Sequence, residues 1–241
     1  MSREMHYAYF GHHKCASTWI VAILYSLCRE AGLTFTKYNE LAGQPLHTFD
    51  VIADTGATPD HLREFSAYTF RGFHVIRDPR DVVISAYFPH KFSHPDAEWL
   101  TEQRQLLNHV DLPTGIRHTI DFRSKQFREM AEWTYDRPDV YESRFETITA
   151  DPLAEFSAIL RFLGWMPDRI RETVLIDILE AHQFQRLTDG RPTGEEDPLH
   201  HYRKGLVGDW KRYLTGDYKD YFKAMYGPLL QHLAYEGDLD W

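Results

Sequence analysis

The 241 residues are 43% hydrophobic, 15% aromatic and 26% charged, which provides apolar mass for a sizeable core and excludes intrinsic disorder. Against 27 basic side chains stand 36 acidic ones, a formal charge of −9, so the overall field does not draw the chain to nucleic acid or an anionic membrane. Two cysteines, Cys15 and Cys28, are too few for a disulfide framework and point to a reducing compartment.

The opening Met-Ser-Arg-Glu-Met is polar and carries no secretory apolar stretch, and the expectation is a cytoplasmic protein. His6 to Phe10 reads as a short aromatic strand, followed by a loop, Gly11 to Ala16, and a helix from about Ser17 to Ala31 that Gly32 ends. The longest apolar run, Trp19 to Cys28, is too short to cross a bilayer, which takes about 20 residues, and suits a buried helix instead; no membrane insertion is expected. Leu33 to Tyr38, Phe49 to Ala53 and Gly72 to Ile76 read as three more strands. Asp78-Pro79 then opens a helix, with Asp78 as N-cap, Pro79 at the first helical position, and Asp81 favouring its positive end. Asp96 to Trp133 is helical and amphipathic, interrupted at Leu112-Pro113; Asp139 to Glu142 is a short strand. Asp151-Pro152 starts a helix ending near Gly164, Pro167 starts the next, Thr188 to Gly208 is a long loop, and Tyr218 to Tyr235 is a final helix. Segments alternate in character without repeats or linkers. This predicts one α/β domain over 1–241, a central parallel sheet flanked by helices with a P-loop-like turn after the first strand.

Three stretches can hold anions. The first is the strand–loop–helix passage Gly11-His12-His13-Lys14-Cys15-Ala16-Ser17-Thr18, where helix amides and the macrodipole favour a phosphate and Lys14, Ser17 and Thr18 add a cation and two hydroxyls. The same stretch also reads as a plain strand–helix turn with a capping Ser. Lys14 lies three residues before Ser17 and the loop has one glycine, unlike the nucleotide triphosphatase signature. Cys15 beside Lys14 and a helix start is open to a lowered pKa and a nucleophilic role, or to being a small neutral lining residue. The second stretch is Arg77, at a strand's carboxyl end, with Ser85 in the following helix, whereas Arg80 reads as a solvated first-turn charge. The third is Arg203-Lys204-Gly205 in the long loop. His90 and His94 have the spacing of a helical metal pair, but Pro89 and Pro95 argue against a regular helix there, and no metal is expected.

Together these stretches resemble the cytosolic-type sulfotransferases, which use 3′-phosphoadenosine 5′-phosphosulfate (PAPS). The family's Lys-Ser-Gly-Thr-Thr-Trp is similar to Lys14-Cys15-Ala16-Ser17-Thr18-Trp19. Its strand-end Arg followed eight residues later by Ser matches Arg77 and Ser85 in Arg-Asp-Pro-Arg-Asp-Val-Val, and its Arg-Lys-Gly-x-x-Gly-Asp-Trp-Lys is matched throughout by Arg203 to Lys211. The resemblance implies that Lys14 contacts the bridging oxygen of PAPS, with Cys15, Ala16, Ser17 and Thr18 in the 5′-phosphosulfate loop and Trp19 against adenine. It implies that Arg77, Ser85, Arg203, Lys204 and Gly205 hold the 3′-phosphate and that Tyr141 and Phe184 lie by the nucleotide. Core packing is the competing reading for those two aromatics.

Two departures stand out. Cys15-Ala16 replaces Ser-Gly, which restricts positive φ in the loop, and the Thr-His-x-Pro segment that carries the family's base corresponds to Ala53 to Pro59, without histidine. Asp54, at a strand end, is therefore the expected proton acceptor, with His90 and His94 as its rivals. The implied acceptor of the sulfuryl group is a small hydroxyl or amine compound. A small-molecule P-loop kinase and a non-catalytic nucleotide-binding protein are the alternatives.

Overall fold

The computed structural model describes residues 5–241, so the polar stretch up to Glu4 lies outside the described residues. In chain order the elements are β1 (His6–Gly11), α1 (Ser17–Ala31), β2 (Phe35–Lys37), β3 (Val51–Asp54), α2 (Pro59–Phe65), β4 (Phe70–Ile76), α3 (Pro79–Lys91), α4 (Glu98–His109), α5 (Leu112–Phe122) and α6 (Ser124–Glu132). There follow β5 (Val140–Arg144), α7 (Phe145–Ala150), α8 (Pro152–Leu163), α9 (Glu172–Ala181), α10 (Phe184–Leu187) and α11 (Gly216–His232). The chain forms two compact units, one running up to Arg77 and resuming over Glu132–Gln183, the other comprising Asp78–Ala131 and Phe184–Trp241.

The first unit holds the sheet. Among the described residues five strands run in the order β2-β3-β1-β4-β5, every pairing parallel, as the alternating segments predict. Side chains alternate across the pleat. Tyr7 and Tyr9 of β1 face a core built with Ile20, Ile23, Leu24 and Leu27 of α1 and Phe156, Ile159 and Leu160 of α8. Ala8 and Phe10 face the other way, into a cluster with Ile52, Leu62, Phe65, Phe70 and Trp133. The helical stripes explain the first core: Ile20, Ile23, Leu24 and Leu27 recur at the 3–4-residue spacing of one helix face, each side chain contributing about 1.5–3 kcal/mol on burial. Gly32 and Gly164, both at positive φ, close α1 and α8. With both faces covered, the carboxyl ends of β1, β3 and β4 lead into the candidate residues of this unit: the Lys14 loop, Asp54 and Arg77.

The second unit is helical: α3 packs against α4, α5 and a short 3-10 turn over Asp209–Arg212. Asp78 caps α3 through the Arg80 amide, 2.9 Å, with Pro79 in the first turn as expected.

The helical stretch is interrupted as expected, with the break just before Leu112-Pro113: α4 ends at His109 and α5 starts at Leu112, capped by Asp111 on the Thr114 amide. Several expectations are corrected. Pro167 does not start a helix: the amides of Arg169 and Ile170 fold back onto the Trp165 carbonyl, and α9 begins at Glu172. Helix α3 runs through Pro89 to Lys91, because burial of Ala86, Tyr87, Phe88 and His90 outweighs the hydrogen bond that proline cannot make. Helix α2, absent from the sequence reading, is capped by the Thr58 hydroxyl on the His61 amide, 3.1 Å. Arg80 is not solvated. It is 3% exposed, paired with Asp78 at 2.8 Å and Glu236 at 2.5 Å, and its guanidinium lies over Trp210 at 3.9 Å and Trp241 at 4.5 Å. Asp81 likewise serves as more than a first-turn charge, accepting the amides of Gly208 at 2.7 Å and Trp210 at 3.0 Å.

Candidate functional site

Between β1 and α1 the chain makes a tight loop in which Lys14 and Ala16 both take left-handed backbone, φ 66° and 63°. No side chain caps the first turn of α1. Ser17, the expected cap, instead donates its hydroxyl to the His12 carbonyl at 3.0 Å and receives the Tyr9 hydroxyl at 3.3 Å, which pins the loop. Arg77 joins the same loop, its Nη1 donating to the Lys14 carbonyl at 3.4 Å while the guanidinium lies 4.3 Å from the centre of the Phe145 ring. Trp19 donates its indole N–H to the His182 carbonyl at 2.8 Å, which fixes the plane of its ring. Cys15 is fully buried, and burial pushes its thiol up to about 12 against the lowering effect of Arg77, so the nucleophile reading is set aside.

The left-handed Ala16 carries a steric cost that glycine avoids. Ala16→Gly is therefore expected to stabilise the protein by about 1 kcal/mol, read as a higher urea midpoint at unchanged slope. An unchanged or lowered midpoint would mean that the Ala16 methyl group makes contacts worth more than the strain.

A buried relay lies behind the loop. His74 Nδ1 meets Glu142 Oε2 at 2.6 Å, a contact set by the cross-strand register of β4 and β5. Its Nε2 meets His12 Nε2 at 2.9 Å, and Trp133 donates to Glu142 Oε1 at 3.0 Å while stacking on His74 at 4.2 Å. Two Nε2 atoms in contact need one donor and one lone pair, so at least one of the two imidazoles is neutral. Burial, and then the neighbouring His74, hold the His12 imidazole well below its ordinary value. Unfolded, that ring takes a proton below about pH 6.5; folded, it does not, so stability is full above that pH and falls below it by up to about 1.4 kcal/mol per pH unit. Wild type is expected to lose more melting temperature between about pH 7 and pH 5 than His12→Gln does. Parallel pH dependences would exclude a neutral buried His12.

At the end of β3, Asp54 pairs in register with Phe10, one residue before the loop begins. It is 2% exposed, and both its oxygens are engaged: Oδ1 accepts the Gly56 amide at 3.0 Å and Oδ2 meets His61 Nδ1 at 2.7 Å. The Gly56 contact is the turn that Asp-Thr-Gly suggests; the His61 contact was not legible in the sequence. Tyr38 stacks on His61, ring centres 4.2 Å apart, and donates its hydroxyl to Glu64 at 2.7 Å. Tyr38 and Glu64 also line a cleft of about 550 Å³ with Leu41, Gln44, Leu46 and Tyr68. Tyr141 is partly buried, 5.7 Å from the Phe162 ring.

In the second unit, Arg203 is paired with Glu196 at 2.5 Å and with Asp209, and Lys204 with Asp209 at 2.6 Å. Burial works against the Asp209 charge, but the hydrogen bonds from Lys204 and Arg203 more than offset it and hold the carboxyl below its usual range. The two cations are thus held in place by carboxylates. Gly205 sits at φ 69°, where an added Cβ would lie 2.7 Å from the Phe184 ring, so only glycine fits. The structure thereby brings together two residues 21 positions apart in the sequence reading, Phe184 and Gly205. Ser85 is partly buried in α3. His90 is fully buried, its ring within 6 Å of the rings of Trp99, Phe122 and His94. Among the described residues no group of three or more His, Cys, Asp or Glu side chains gathers as a metal site, and no helix is long and apolar enough to cross a membrane.

Residues 64–234 match the family model described as the sulfotransferase domain. Over 166 residues the chain is 25% identical to human Sulfotransferase 1C2, covering 64% of this chain and 52% of that protein. Over 72 residues it is 36% identical to Cytosolic sulfotransferase 4 of Arabidopsis thaliana, covering 30% of this chain and 24% of the plant protein. The matches thus span about half and about a quarter of those proteins. In fold the chain is similar to mouse sulfotransferase SULT7A1 complexed with PAP, with a TM-score of 0.68, 14% identity, and coverage of 95% of this chain and 86% of that one. It is also similar to retinol dehydratase in complex with androsterone and PAP, described there as an inactive cofactor, with a TM-score of 0.62, 13% identity, and coverage of 93% and 80%.

Proposed function

Because the chain belongs to the sulfotransferase domain family, we propose that it moves a sulfuryl group from PAPS to a hydroxyl or amine of a small acceptor. The observation that carries this reading is the loop between β1 and α1: a strand end, a helix start without a side-chain cap, Lys14 in a left-handed turn and Arg77 bound to that turn's backbone. Sulfuryl transfer needs in-line positioning and stabilisation of the charge that grows on the leaving oxygen. The reading gives Lys14 the second task. It gives the 5′-phosphosulfate to Cys15, Ala16, Ser17 and Thr18, and places Trp19 and Phe184 against adenine with Tyr141 beside the nucleotide. Arg77, Ser85, Arg203, Lys204 and Gly205 take the 3′-phosphate.

Asp54 and His90 are the candidates for the acceptor's proton, and the full burial of His90 among aromatic rings favours Asp54 and the residues bonded to it. The reading takes 1–241 as one catalytic domain, working in the cytoplasm, without a metal or nucleic acid. The apolar and aromatic lining of the cleft beside Tyr38 and Leu46 suits a hydrophobic acceptor. A kinase is disfavoured because Lys14 stands three residues before the first hydroxyl of the loop.

The test is turnover of PAPS carrying labelled sulfate with a panel of phenols, alkanols and amines. Labelled product with at least one class, together with release of PAP, is the expected result. PAP binding without transfer to any acceptor or to water would favour the non-catalytic alternative, and transfer from ATP would favour the kinase.

A further inference from the structure

We infer that His61 is the residue that takes the acceptor's proton, and that Asp54 is the positioning residue that makes it a base. This deepens the sulfotransfer reading and rests on it.

The argument starts from the carboxylate. Asp54 is buried at the carboxyl end of β3, with Oδ1 on the Gly56 amide and Oδ2 on His61 Nδ1. A carboxylate is an acceptor only, so the imidazole must present Nδ1–H to it, and the lone pair of the neutral ring then sits on Nε2. A base oriented through its other nitrogen by a buried carboxylate is the arrangement that serves proton abstraction in unrelated hydrolases. The ring is further fixed by Tyr38, stacked on it with planes 28° apart, and by its place in the first turn of α2, whose cap Thr58 accepts the His61 amide. Tyr38 is in turn tied to Glu64.

The pair is also beside the reacting region of the same unit. Asp54 is the register partner of Phe10, and the Ala57 amide donates to the Gly11 carbonyl at 2.9 Å, so the turn between β3 and α2 is bonded to the first residue of the Lys14 loop. His61 keeps a quarter of its side chain exposed, whereas Asp54 keeps 3%. Of the two, the imidazole is the group an acceptor can reach.

The step balances without a further reactant. The acceptor oxygen forms a bond to sulfur as its proton passes to His61 Nε2. The bond from sulfur to the 5′-phosphate oxygen breaks, and its electron pair leaves on PAP. The imidazolium afterwards gives its proton to water.

Two measurements on the full chain test this. The first is the His61 tautomer, read from long-range proton–nitrogen correlations of the imidazole in protein labelled with nitrogen-15 histidine, with PAP bound and the signal assigned by its loss in His61→Gln. Wild type should show Nδ1–H. In Asp54→Asn the amide oxygen keeps the Gly56 amide, so its NH₂ faces Nδ1 and forces the Nε2–H tautomer, which has no lone pair for the acceptor.

The second is transfer from PAPS to phenols of increasing pKa, with PAP release counted for every acceptor, water included. His61→Ala and Asp54→Asn should each lower kcat by about 10²–10⁴-fold with weakly acidic phenols and with water, and much less with 4-nitrophenol, which ionises near neutral pH. Their PAP affinity should match wild type. An Nε2–H tautomer in wild type, or variants that transfer to weakly acidic phenols at the wild-type rate, would overturn the assignment while leaving sulfotransfer intact. Absence of PAP binding and of PAP release in wild type would instead remove the sulfotransfer reading, and the assignment with it.

Discussion

Lys14→Ala is expected to lower kcat for sulfuryl transfer by about 10²–10³-fold while changing PAP affinity by less than about 10-fold. The split follows from where the charge is. In bound PAPS the bridging oxygen between sulfur and the 5′-phosphate carries little charge; in the transition state, as the sulfur–oxygen bond breaks, it carries much more. A cation aimed there stabilises the second state more than the first, so its loss appears in kcat. The loop should survive the change, because the left-handed backbone at position 14 is no more strained for Ala than for Lys, and Ser17 and Arg77 still bind the His12 and Lys14 carbonyls. Single-turnover rates with saturating PAPS, set beside calorimetric PAP affinities, separate the two effects. A variant with near-normal turnover and only a raised KM would refute the leaving-group role.

PAP is expected to bind about 10²–10⁴-fold more tightly than AMP, from two charge-assisted hydrogen bonds to the 3′-phosphate at roughly 1.5–3 kcal/mol each. The lower end is favoured because Arg203 and Lys204 are already bonded to Glu196 and Asp209, so the phosphate shares those donors. That sharing also means the cations need no reordering when the ligand arrives, which lowers the entropic cost of binding. Arg203→Ala should bring PAP most of the way to the affinity of AMP and leave AMP itself almost unchanged. Equal affinities of wild type for PAP and AMP would remove the case for Arg77, Ser85 and Arg203 as a 3′-phosphate clamp.

Much of the scaffold was legible because it is written locally. Strand alternation, the stripe of Ile20, Ile23, Leu24 and Leu27, the caps Asp78 and Asp151, and the glycines that end α1 and α8 each act over a few residues, and the elements they specify lie where the sequence placed them. Helix α2 was missed although Thr58-Pro59 is a start signal, because seven residues give too little periodicity to set against the turn chemistry around Gly56.

The sequence by itself determined the parallel α/β fold and the loop that carries Lys14, and it marked the three stretches proposed to hold anions, since each depends on the order of neighbouring residues. Tertiary structure alone decided which charges are paired and which partners the buried histidines meet. Arg80 lost its solvated reading to Glu236, 156 positions away, and to Trp210 and Trp241. His74 met Glu142 because β4 and β5 align them across the sheet, and His12 completed the relay from the end of β1. Asp54 met His61 only because β3 ends beside the turn that leads into α2. The physical reason is the same in each case: periodicity fixes which face a side chain occupies, whereas its partner is set by strand register and helix packing between segments far apart in the chain.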